Sequence, residues 1–309
     1  MKSGFKARGA LIAVAMAAVA AGSAHADLPE SGCWVYKSPT ISNTLNAVVF
    51  NATLSGGNIT VGTPRALNGG TEIDLTLPVL SPDGATGYPV TAVTSFAPIY
   101  HASMSPIRTV LLPDTVTSLP GQIFDSGGRV TALETVRLPA NLTSIISYAF
   151  RGCTNLTTIL PAEFTGNGRV TSFGTQCFHG CRSLTNRFNL ERAVTIGTEA
   201  FYNARKAEYT EDGTLYLTNA VDVGNAFANV TNIFRVVLTE GLVKSFGFSA
   251  CPSVTNITPF LPASVTTVRS FRSASALAGR LGISNPGVTG IPGEVISYTQ
   301  VGELDLRGS

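Results

Sequence analysis

The sequence predicts a mainly β chain wound into a solenoid of about eight irregular coils, with a small β cap at its N-terminal end. Three observations carry that prediction. The first is self-similarity: residues 143–157 (TSIISYAFRGCTNLT) and 171–185 (TSFGTQCFHGCRSLT) agree at seven of fifteen positions, all at an offset of 28. The second is a recurring phenylalanine. Phe96, Phe124, Phe150, Phe178, Phe201, Phe227, Phe248 and Phe271 follow one another at steps of 28, 26, 28, 23, 26, 21 and 23 residues. A period of roughly 20–50 residues marks stacked repeats, because one coil cannot bury its apolar face alone. The third is composition. Only 13% of residues are charged, and Thr, Ser, Asn and Gly take their place, as in exported β-rich proteins.

Taken in order, the chain opens with MKSGFKAR, which has three cations and no acid. The apolar run ALIAVAMAAVAAG (residues 10–22) and Ala24-His25-Ala26 follow. A basic start, a short apolar run and a small-residue site describe an export signal over residues 1–26, cleaved between Ala26 and Asp27. The run is short for a membrane span, which needs roughly 20 strongly apolar residues; an uncleaved anchor is the alternative. Cleavage leaves 283 residues. The leader holds three of the 21 basic residues and none of the 19 acids, so the remainder carries a net charge of −1. A near-neutral chain without a basic cluster argues against nucleic acid or an anionic membrane surface as partner. No second long apolar run follows, so no transmembrane segment is expected in the mature chain.

Residues 27–86 lack the repeat. CWVYK, AVVFNATL, GNITVG and TEIDLTLPVL, with Gly, Asn and Pro between them, predict short antiparallel strands and hairpins. An open first coil needs a cover, and this segment is placed to be one; a separate small β domain is the alternative. Residues 87–278 carry the repeat. Each unit has a β-branched stretch such as Val116-Thr117-Ser118-Leu119, an arc ending in the Phe, and a turn such as Arg151-Gly152-Cys153. A second strand-like stretch closed by Pro follows: TVLLP at 109–113, TVRLP at 135–139, TPFLP at 258–262. The matching positions are read as core and the variable ones as surface. The unit after Phe201 (YNARKAEYTEDGTLYL) lacks Cys-x-x-Leu, so strand register over 201–250 is open. Residues 279–309 predict loops and one or two strands closing the far end.

The pattern V-T-S-I-x-x-x-A-F-x-x-C-x-x-L-T-x-I-x-x-P, clearest across 143–161 and echoed at 195–201, resembles the BspA-type leucine-rich repeat of bacterial surface proteins. The lead-in GYPVTAV (87–93) is similar to the segment that often opens such arrays. The resemblance implies a right-handed leucine-rich-repeat solenoid with strands stacked along one face, export, and a role in adhesion or protein binding. It implies no catalytic residue within the repeat.

Candidate chemistry is sparse. Of the two histidines beyond the leader, His101 and His179, the second stands where the preceding unit has Arg151 and reads as a variable surface position. Cys177 and Cys181 flank it, but both fall in core slots, which argues against a metal site. Cys153 and Cys181 fall in equivalent places of adjacent coils, within disulfide reach, yet parallel side chains give poor geometry and favour two buried thiols. Glu72 and Asp74 form an acid pair in the expected cap and read as a solvated strand face. GNGR (166–169) and GGR (127–129) have no strand-to-helix setting for phosphate. Six N-x-T sequons occur, and Asn155 and Asn229 are placed on one repeat slot, the one that Ser183 occupies. The expectation is a secreted or cell-surface, non-enzymatic protein with no cofactor, binding an extracellular protein or glycan through outward strand residues such as Arg137, Thr158 and Arg235. Self-association as a structural surface component is the alternative; an enzyme with a site in the non-repeat ends comes third.

Overall fold

A computed structural model of the chain describes residues 33–37, 47–67, 71–76, 79–80, 87–94, 107–125, 132–161, 169–219, 222–239, 244–258, 267–268, 271–282 and 299–305. Ala26, Asp27, Phe96 and His101 lie outside the described residues, as do Gly127 and Gly166–Gly168. Among the described residues the secondary structure is strand and turn, with no helix.

The N-terminal strands form a meander. Cys33–Lys37 pairs antiparallel with Ala47–Ser55, which pairs antiparallel with Asn58–Leu67. Gly56 and Gly57 form the two-residue turn at φ 57° and 78°. Two consecutive positive φ values match the right-handed twist of the flanking strands, which is why a Gly-Gly pair stands there. Asn58–Leu67 then pairs in parallel with Val90–Val93, so the meander hands over directly to the stacked coils.

Two parallel ladders run along the coils. One joins Glu72–Asp74, Thr109–Leu111, Thr135–Arg137 and Thr158–Leu160 in that order. It resumes with Thr214–Leu217, Arg235–Leu238 and Asn256–Thr258. The other joins Ser144–Ile145, Ser172–Phe173, Thr195–Ile196, Asp222–Gly224, Ser245–Phe246 and Thr267–Val268. Glu72 and Asp74, expected in the cap, therefore stand on the first rung of a parallel ladder. The uncertain stretch 201–250 keeps its register, with one irregularity between Asp222 and Gly224.

Between the two pieces of the first ladder lies a seam. There Asn186 takes the place of a strand. Its amide oxygen accepts from the backbone N–H of Ile159 at 2.6 Å, and its amide nitrogen donates to the Ile159 carbonyl at 2.8 Å. A single bridge, Arg187 to Glu208, leads on to the next coil.

The core is a column of phenylalanine rings. Phe124, Phe150, Phe178, Phe201, Phe227, Phe248 and Phe271 are all buried. From Phe124 to Phe248, successive ring centroids lie 5.1, 5.3, 5.5, 5.3 and 5.7 Å apart, close to parallel. That spacing follows from the strand separation of about 4.8 Å, which sets one ring above the next. Each buried Phe contributes about 1.5–3 kcal/mol by transfer, and each ring pair about 0.5–1.5 kcal/mol more.

Three and six residues past Phe150, Phe178, Phe227, Phe248 and Phe271 lie two further buried slots. They hold Cys153 and Leu156, Cys181 and Leu184, Val230 and Ile233, Cys251 and Val254, Ala274 and Leu277. After Phe201 the same slots hold Ala204 and Ala207, so Cys-x-x-Leu is replaced in kind but reduced in volume. Two aromatic rings occupy the space: Phe188 and Tyr209 meet Phe201 edge-on at 5.2 and 6.0 Å. The departure from the repeat is thus a repacking of the same coil.

Candidate functional site

The arc around each Phe is a chain of turns, and its backbone bonds run between coils. Phe150 N–H donates to Cys177 O at 2.8 Å, Phe178 N–H to Ala200 O at 2.8 Å, and Phe201 N–H to Ala226 O at 2.8 Å. The turns need left-handed residues at two slots. Two before the Phe stand Gln122, Tyr148, Gln176 and Glu199, at φ between 53° and 61°. Two after it stand Gly152, Gly180, Asn203, Asn229, Ala250 and Ser273. Asn229 therefore occupies the turn slot of Gly152, whereas Asn155 and Ser183 lie five residues past their Phe. The expected equivalence of Asn155 and Asn229 is corrected here: Ile233, three residues beyond Val230, fills the slot of Leu156, so alignment on Val230 slips by three.

On this turn face the residues directly after Phe124, Phe150, Phe178 and Phe201 form two pairs. Asp125, buried, accepts from Arg151 Nε at 3.1 Å and Nη2 at 2.7 Å. The Arg151 guanidinium also lies over the Tyr148 ring, 4.7 Å from its centroid. One coil on, His179 stacks on Tyr202 at 4.6 Å with the rings 7° from parallel. A second row links the pairs. Gln176 Oε1 accepts from Arg151 Nη1 at 3.5 Å, Gln176 Nε2 donates to Glu199 at 2.7 Å, and His179 Nε2 lies 3.7 Å from the same carboxylate.

Arg151 thus turns toward the coil before it, and His179 toward the coil after it. Between them opens a shallow basin of about 660 Å³, lined by Arg151, Thr154, Gln176, His179, Arg182 and Tyr202. Gly152 and Gly180, at φ 77° and 76°, lie on its floor and leave it free of side chains. Arg182, exposed at the rim, makes no side-chain hydrogen bond or ion pair among the described residues.

The thiols belong to the core. Cys153 donates toward Phe124 O at 3.7 Å, Cys181 to Phe150 O at 3.2 Å, and Cys251 to Phe227 O at 3.0 Å, each one coil back. Cys177 points toward Ala200 O at 3.8 Å. All four are buried free thiols, so Cys153 and Cys181 are not bridged. Burial pushes each of them far above the ordinary thiol range, Cys251 up to about 12. Cys177 and Cys181 therefore do not turn toward His179. Among the described residues no group of three or more His, Cys, Asp or Glu could hold a metal ion.

The remaining singled-out residues are committed locally or exposed. Asp74 is nearly buried and accepts from the Thr76 backbone N–H at 2.9 Å and from the Thr76 hydroxyl. Glu72 stands beside Thr109 on the ladder. Arg137 binds Asp114 at 2.8 Å and the Leu112 carbonyl, and holds the Asp114 carboxyl below its usual range. Thr158 is half-buried on the same ladder, and Arg235 is exposed on the other piece of it. The basin itself is absent from the sequence reading. Its residues are spread over residues 151–202, and what unites them is a shared slot relative to Phe150, Phe178 and Phe201.

Comparison with known proteins agrees with this architecture. The description "BspA type leucine rich repeat region" matches in six copies, over residues 99–216 and 162–278. No curated protein matches the chain significantly. Among solved structures, a leucine rich cell surface protein from Faecalibacterium prausnitzii is 18% identical, with 89% of this chain and 95% of that one covered and a TM-score of 0.39. A leucine-rich repeat protein from Bacteroides ovatus is 14% identical, covering 87% and 91%, with a TM-score of 0.37. A T. pallidum leucine rich repeat protein is 21% identical, covering 74% and 87%, with a TM-score of 0.42. With a Phe column, two parallel ladders and six matched copies across more than half its length, the chain belongs to the BspA-type leucine-rich repeat family.

Proposed function

We propose that the chain is an exported protein, secreted or held at the cell surface, that binds an extracellular protein or glycan through its coils and performs no chemistry. The family membership supports an interaction role, and the N-terminal sequence supports export. The observation that carries the reading is the open, polar basin on the turn face, built from side chains of three successive coils. An open surface of this kind suits reversible contact. Its candidate nucleophiles are withdrawn: the nearby thiols are buried in the core with raised pKa values, and a thiol acts as a nucleophile only as the thiolate. The ring of His179 is held against Tyr202.

The test is a labelled preparation of the purified chain applied to immobilised extracellular-matrix proteins and glycans. Saturable, reversible binding to one class is expected. Failure to bind any of them, together with growth of the chain into larger species as concentration rises in light scattering, would replace this reading with self-association.

A further inference from the structure

The basin is bordered by a strip of cations that the fold assembles and the sequence disperses. Four residues past the Phe, adjacent coils carry Arg182 and Arg205, and Lys206 follows directly. All three are exposed. Arg205 Nε donates to Asn203 Oδ1 at 2.7 Å, on the basin's edge. Arg182 and Lys206 have no side-chain partner among the described residues. In the flanking coils the same slot holds Thr154 and Thr231, so at this slot the cations belong to the coils of Phe178 and Phe201.

The nearby acids each have a partner. Asp125 is held by two hydrogen bonds from Arg151, and Glu199 accepts from Gln176 with His179 alongside. Glu208 and Glu211 face Arg187 instead. With Arg151 and Arg187 added to the strip's three cations, and Asp125, Glu199, Glu208 and Glu211 set against them, the groups around the basin sum to a formal charge of +1, with Arg182 and Lys206 the unpartnered cations at its rim among the described residues. Adjacent coils set Arg182 and Arg205 on backbones about 4.8 Å apart, a repeat suited to an extended chain with charges at regular intervals.

Shape narrows the class. The basin is broad and shallow, its floor is the backbone of Gly152 and Gly180, and one wall is the stacked His179–Tyr202 pair. It offers no deep apolar socket of the kind that anchors a protein partner. It does offer amide, guanidinium, imidazole and hydroxyl groups for a hydroxyl-rich ligand. A single aromatic pair, already stacked on itself, is a poor platform for successive bases. From these features we propose that the basin and the Arg182–Arg205–Lys206 strip form a binding site for an acidic saccharide chain, its carboxylates on the cations and its sugar rings over the glycine floor. This inference rests on the binding-protein reading given above and names the ligand class and the site.

The experiment is calorimetric titration of the purified chain with oligogalacturonate, which carries a carboxylate on every ring. A neutral cello-oligosaccharide of equal length and a single-stranded DNA oligonucleotide serve as comparators. Oligogalacturonate is expected to bind, at least tenfold more tightly than either comparator, and to weaken as salt is raised. The double variant Arg182→Glu, Lys206→Glu should lose at least tenfold in affinity with an unchanged melting temperature, since both side chains are exposed. Arg192→Glu, exposed and outside the basin's lining, should bind as the parent does. Absence of oligogalacturonate binding by the folded chain, equal binding of DNA, or full affinity in the double variant would overturn the assignment. A neutral glycan or a protein that binds through the strand face, and is lost in Arg235→Glu, would leave the general binding reading standing while this one falls.

Discussion

Cys181 donates its thiol hydrogen to the carbonyl oxygen of Phe150, 3.2 Å away and one coil back. Cys153 and Cys251 make the same bond to Phe124 and Phe227. The repeat cysteine is therefore a fastener between coils, small enough for the core and able to add a second donor to carbonyls such as those of Phe150 and Phe227, which already accept from the backbone N–H of Cys153 and Val230.

One outcome concerns reactivity and pH. Burial raises the folded-state pKa of Cys153, Cys177, Cys181 and Cys251 above the unfolded value of about 8.5. A raised thiol pKa means that the folded state holds its proton longer. Stability is then full below about pH 8.5 and declines above it, by about 1.4 kcal/mol per pH unit for each such thiol, until the folded pKa is reached. For Cys251 that limit is about 12. Urea titrations at pH 7 and pH 10 should show the loss. A disulfide-exchange reagent should label these four only on unfolding; rapid labelling of any of them in the native chain would contradict the burial argument.

The ring column should be costly to interrupt. Phe178 lies between Phe150 and Phe201, with Phe188 also 5.3 Å from it. Phe178→Ala is expected to destabilise by about 3–5 kcal/mol, cavity included, as measured by urea unfolding. A loss below about 1 kcal/mol would mean that the rings do not hold the stack together.

Gly197 tests the closeness of adjacent coils. A Cβ placed there would lie 2.5 Å from Thr175 N, a backbone atom that cannot swing aside. Gly197→Ala should cost about 1–3 kcal/mol through overpacking. Gly121 has nothing within 4 Å of such a Cβ, so Gly121→Ala should leave stability unchanged or slightly raised. Equal melting temperatures for the two variants would refute the close approach.

Tyr209 fills the space beside Ala204 and Ala207, yet its hydroxyl is buried without a hydrogen-bond partner. Burial pushes the phenol pKa well above its usual range. Tyr209→Phe is expected to raise stability by about 1 kcal/mol, the cost of a buried unpaired donor. Destabilisation on this change would show that the hydroxyl has a partner, such as a bound water.

The Asp125–Arg151 pair is asymmetric: the carboxylate is buried, while the guanidinium is about one third exposed. Arg151→Ala removes two hydrogen bonds from a buried carboxylate and should cost about 1–3 kcal/mol, after allowance for solvent around the arginine. Arg151→Lys should recover only part, since an ammonium cannot match the two-point contact or lie flat over Tyr148. Full recovery by lysine would reduce the pair to simple charge.

The phenylalanine spacing was legible in the sequence because burial is repeated and burial has few chemical solutions. The Phe slot holds the same large ring in every unit, so its period stays visible. The Cys and Leu slots accept Ala, Val or Ile, and there the pattern fades: Ala204 and Ala207 hide a coil whose missing volume comes from Phe188 and Tyr209. The early start of the ladder at Glu72–Asp74 was hidden for a related reason. A three-residue strand carries too little periodicity to be told from a hairpin strand. The basin was invisible because Arg151, His179 and Tyr202 share a position but no chemistry, and only stacking shows that one slot faces the next.

The seam at Asn186 also has a mechanical meaning. Where both ladders are continuous, a pull along the stack is shared by two rows of backbone bonds. Beside Ile159 one of those rows has no paired strand: the two hydrogen bonds of a single amide side chain, the Thr185 bonds to the Thr157 carbonyl and a lone bridge beyond carry it. The column thus has a built-in weak link near its middle. A tether stretched between a partner on one half and an anchor on the other would yield there first, letting each half keep its own ring stack intact.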